Sequence, residues 1–104
     1  MTLVEFKTLL SNAKDQIRSI ACKKAINTIT EKIEKKVLAG EEVQLMVITH
    51  KKTGVVYLVC TRVAAERNKF LCVSLNGNET RLYAESTLMS TFSLQLIPLQ
   101  QLQH

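Results

Sequence analysis

Lys35-Lys36-Val37-Leu38-Ala39-Gly40-Glu41-Glu42-Val43-Gln44 is the stretch at which the chain changes its periodicity. Upstream of it apolar residues recur three and four apart, the spacing of a helix face; downstream, β-branched residues run in short blocks, the spacing of strands. Gly40 suits the left-handed position just past a helix, and Lys35 and Lys36 suit its last turn. The expected architecture is therefore α+β. An N-terminal helix or helical hairpin over about 2–38 packs on a small antiparallel sheet or partly open SH3-like barrel over about 43–97.

Upstream, Thr2 and Glu5 have the spacing of a capping box, in which each side chain satisfies the other residue's backbone N–H. Leu3, Phe6, Leu10, Ala13, Ile17 and Ile20 then form one apolar stripe, and Cys22, Ile26, Ile29, Ile33 and Val37 form a second. At about 100° per residue the two stripes lie on nearly opposite faces of a continuous helix. Either the chain bends between roughly Ser19 and Lys24 and folds both stripes onto one core, or one long helix protrudes and finds apolar cover elsewhere. The bend is the preferred version, although no Gly or Pro marks it; Ser11-Asn12 is an alternative break.

Downstream, Val43–Thr49 and Val55–Thr61 flank His50-Lys51-Lys52-Thr53-Gly54 as a hairpin with glycine where a positive φ is needed. Their nearly unbroken hydrophobicity implies cover on both faces. Further strands are expected over 69–75 and 80–84, on either side of Asn76-Gly77-Asn78, and over 93–97, where Pro98 confines the last one to an edge or an end. Ser86 is a candidate cap for a short turn through Leu88 and Met89. Residues 99–104 are expected to fray.

With 104 residues, 46% of them hydrophobic and 22% charged, the chain reads as a single folded domain, residues 1–104. The net charge of +5 favours anionic partners without naming one. Residues 1–42 hold eight basic and six acidic side chains, interleaved as on a solvated helix face, while 43–104 hold six and three. Acid and base residues appear before any secretory leader's apolar core could form, so a cytoplasmic setting is expected. No span reads as a membrane helix: Ser86–His104, uncharged throughout, is interrupted by Ser, Thr, Gln and Pro98. Cys22, Cys60 and Cys72, an odd and scattered set, read as buried free thiols.

No catalytic, cofactor or metal site is expected. The best enzymatic pairing would set His50 against Cys60 or Cys72, but hairpin pairing puts Cys60 opposite Leu45, on the order of 17 Å along the strand from His50. Cys72 lies between Leu71 and Val73 in an apolar run, as a core thiol would. Two binding functions remain. The first is a non-enzymatic protein-interaction module, such as a small regulator, adaptor or inhibitor that binds another protein, with a homodimer as one form in which it could act. It would use Ile26, Ile29, Ile33, Val37, Leu88, Met89 and Phe92, or an exposed sheet edge. The alternative is a nucleic-acid-binding β-domain using Lys51, Lys52, Arg62, Arg67, Lys69 and Arg81, although single-strand binding wants aromatics among the basics and few are available.

Overall fold

A computed structural model describes residues 1–76 and 79–102. Helix α1 spans Leu3–Gln16, and Thr2 caps it in a complete capping box with Glu5. Helix α2 spans Ile20–Leu38. Between them Ile17 and Ser19 take extended backbone angles, so the helical half is an elbow rather than one rod. The bend sits slightly upstream of the expected position, and no break occurs at Ser11-Asn12. Ser19 makes it: its Oγ accepts from the Cys22 N–H, starting a new helix without Gly or Pro. With the chain turned there, Phe6, Leu10, Ala13 and Ile17 share one core with Cys22, Ile26 and Ile33. Ile20, expected on the first stripe, instead heads the second helix and is exposed. Leu9, absent from the expected stripe, is buried.

Helix α2 ends in a Schellman motif. Glu41 N–H reaches the Lys36 carbonyl and Gly40 N–H the Val37 carbonyl, with Gly40 at φ 77°. Three residues, 41–43, then lead into β1, Gln44–His50. It pairs antiparallel with β2, Val56–Val63, with Met46 opposite Val59 and Thr49 opposite Val56. The connecting loop closes on Gly54 at φ 74°. Strand β3, Lys69–Ser74, pairs with β2 through a register shift between Val59 and Thr61, and β4, Thr80–Tyr83, pairs with β3. The expected turn at Asn76-Gly77-Asn78 falls partly outside the described residues. Helix α3, Glu85–Thr91, follows and leads into β5, Phe92–Pro98. Ser86 does not cap α3; the cap position is Ala84, which has no side-chain acceptor.

The sheet order is β4-β3-β2-β1-β5, antiparallel throughout and open, with β4 and β5 at its edges. It does not close into a barrel. One face, carrying Leu45, Val47, Leu58, Leu71 and Val73, packs against α1 and α2. The chain then crosses the opposite face as α3 on its way from β4 to β5, covering a second cluster of Ile48, Tyr57, Cys72, Leu88 and Phe92. Cover on both faces thus comes from the chain's own helices, though α3 has only seven residues and leaves part of its face open. Within the segment expected to fray, Leu99 and Leu102 are buried in the helix-side core, and the Met1 ammonium donates to the Leu102 carbonyl.

Candidate functional site

The residues expected to contact a partner are mostly committed to the chain's own core. Ile26 and Ile33 are buried between α2 and the sheet, and Ile29 and Val37 pack against them. Leu88 and Phe92 are buried in the second cluster. Only Met89, 65% exposed on the outer side of α3, has the accessibility a contact residue needs. For the α2 residues the physical reason is the elbow, which turns the second stripe inward.

The six basic residues do not form one surface. Lys51 and Lys52 stand at the β1–β2 hairpin tip, where Lys51 Nζ reaches the Ser90 carbonyl at 3.4 Å. Arg62, Arg67 and Lys69 lie at the far end of β2, about 25 Å away at 3.3 Å per strand residue. Arg81 sits on edge strand β4, 3.4 Å from the Glu79 carboxylate. Aromatic rings of the kind that stack bases pack here on one another: Phe92 lies 5.0 Å from Tyr83, 5.2 Å from His50 and 6.0 Å from Tyr57.

His50 Nδ1 accepts from the backbone N–H of Lys52 and Thr53 at 3.1 and 3.2 Å, so that nitrogen is occupied in capping the hairpin turn. Burial pushes the Cys72 thiol up to about 12, and burial, with a smaller contribution from Cys72, also raises Cys60. Tyr57 is raised by burial and then by its 2.8 Å hydrogen bond to Glu79. A thiol held protonated is a poor nucleophile. Among the described residues no group of three or more His, Cys, Asp or Glu is placed to hold a metal ion, and no helix is long and apolar enough to cross a membrane.

The surface that does stand open lies along β5. Register places Leu94 opposite Ile48 and Leu96 opposite Met46, so Leu94, Leu96 and Met46 share the face that α3 crosses. Helix α3 does not reach them: they are 41%, 63% and 38% exposed. Beside them a groove of about 290 Å³, lined by Ile29, Met46, Val59, Phe70 and Leu96, opens at the end of the sheet. On the helix-side face, past the reach of α1 and α2, a second groove of about 540 Å³ is lined by Val47, Thr49, Val56, Gln95, Ile97 and Leu102. Among the described residues no strand neighbours the outer side of β5. Covering Leu94 and Leu96 would contribute about 1 kcal/mol each, scaled from full side-chain burial. Leu94-Gln95-Leu96 was visible in the sequence as an alternating, charge-free run. What hid its role was the spatial order of the strands, which puts the last strand beside the first.

No family model, no curated protein and no solved structure matches the chain.

Proposed function

We propose that this chain is a non-enzymatic protein-interaction module that engages its partner along β5. The observation that carries this reading is an unprotected edge strand with exposed leucines on one face and a groove on the other. Edge strands are normally blunted by lysine, an inward charge, a mid-strand proline or a covering loop. Between Ser93 and Ile97 strand β5 has no lysine, charge or proline and no cover from the described residues, and Pro98 stands only at its end. An added strand would gain main-chain hydrogen bonds from the edge and side-chain contacts from both faces, the mode by which sheets capture extended segments. A regulatory, adaptor or inhibitory role fits such a surface. The proposed setting is the cytoplasm, which keeps thiols reduced; the three unpaired cysteines support it.

The test is recovery of the tagged protein from the cells that make it, after nuclease treatment, beside a Leu94→Lys/Leu96→Lys variant that folds normally by circular dichroism. A protein retained in stoichiometric amount by the parent and lost by the variant is the expected result. Identical retention by both, or material that disappears with nuclease, would overturn the reading.

A further inference from the structure

The geometry of the β5 edge points to a second copy of this chain as its occupant: two β5 strands pair antiparallel about a twofold axis at Gln95, joining two sheets into one of ten strands. This inference rests on the interaction-module reading and names its partner.

Hydrogen-bond parity sets the register. Lys51 N–H donates to the Thr91 carbonyl at 3.1 Å and Leu99 N–H to the Val43 carbonyl at 2.9 Å, so the odd-numbered residues of β5 face β1. Phe92, Leu94 and Leu96 therefore direct N–H and C=O outward, and Pro98 directs its C=O outward. Gln95 is the midpoint of Phe92–Pro98, and centring the axis there pairs each strand along its whole length. Leu94 of one copy then meets Leu96 of the other in a hydrogen-bonded pair that exchanges two N–H···O bonds, and the axis repeats it. The Phe92 N–H meets the Pro98 carbonyl, so the missing proline donor affects only the ends of the ladder. The four leucines lie on one face beside Met46, where cross-strand apolar pairs stabilise a sheet. On the other face Gln95 meets its own symmetry mate, and amide side chains can donate to and accept from each other.

Charge selects this edge. The chain is cationic at +5, yet Ser86–His104 contains no Lys, Arg, Asp or Glu, so two copies meet here without opposing basic side chains. Edge strand β4 has four residues and carries Arg81, which self-pairing would bring close to its own copy. A seven-residue contact about 23 Å long and about 10 Å deep covers roughly 230 Å² per partner, well below the roughly 800 Å² of a standard interface. The dimer is accordingly concentration-dependent.

The decisive experiment is sedimentation across a concentration series from micromolar to millimolar, with directed crosslinking. The parent should rise from 11.7 kDa toward twice that mass, with little response to salt. Leu96→Lys should stay monomeric with an unchanged circular dichroism spectrum. Gln95→Cys should crosslink to itself under mild diamide oxidation, because the axis brings the two Cα atoms within disulfide reach. Ser93→Cys should not, since Ser93 faces Ile97 of the second copy. A parent monomeric throughout the series, or equal crosslinking at both positions, overturns the second-copy inference. In that event, if Leu94→Lys/Leu96→Lys still loses a protein retained from cells, the module reading stands; if it loses nothing, both fail.

Discussion

Arg67 and Asn68 occupy left-handed backbone at φ 56° and 58°, two consecutive non-glycine residues in the tight link from β2 to β3. Asn tolerates that region, whereas Arg holds it at a cost of about 1–2 kcal/mol. Arg67→Gly should therefore raise unfolding stability by about 1 kcal/mol, read from the urea midpoint. Ser19 carries more than a cap, since its Oγ also donates to Glu66 Oε1 at 2.8 Å, tying the elbow to that same link. Ser19→Ala should cost about 1–2 kcal/mol, more than an isolated cap. Cys72 sets a pH dependence. Its folded-state thiol sits near 12 against an ordinary 9.0, so the unfolded chain ionises first. Stability is then flat through this group below about pH 9 and falls as pH rises from 9 toward 12, in the same direction as Cys60 and Tyr57. A Cys72→Ala variant should show a shallower fall in urea midpoint between pH 9 and 11. At this scale the sequence was informative wherever chemistry is local. Thr2 with Glu5, Gly40, Gly54 and the apolar setting of Cys72 were all legible, while the left-handed Arg67 carries no local signal at all.

Among the elements, the elbow decides which helical residues are core. Ile33, expected at an interface when the helix is continuous, is buried against the sheet, so Ile33→Ala should cost about 2–4 kcal/mol. That loss should appear as a lowered melting temperature in dilute protein, where association contributes nothing. A lowered association constant with unchanged stability would contradict the placement. The two opposed stripes made a bend legible, but its position depended on reading Ser19 as a cap rather than as a helix interior residue. Helix α3 and the turn that buries Leu99 and Leu102 were harder to foresee. Each is short, and each is fixed by contacts with strands distant in sequence, so local propensity says little about them.

In the whole molecule, the charge is spread rather than focused, and Met46, Leu94 and Leu96 form one open apolar strip along the β5 edge. The helix-then-sheet organisation was readable because the periodicity changes once, at Gly40. The strand order was not, because β5 neighbours β1 through pairings such as Gln44 with Pro98, and nothing local specifies a partner at that separation. That pairing also has a consequence in time. A chain emerging from the ribosome can complete α1, α2 and the β1–β4 meander while one side of β1 is still bare. The strand that protects β1 arrives last, and with it α3, the cover of the second face. For that interval the nascent chain carries an unsatisfied edge and an uncovered apolar face, and it is then most exposed to chaperones and to aggregation.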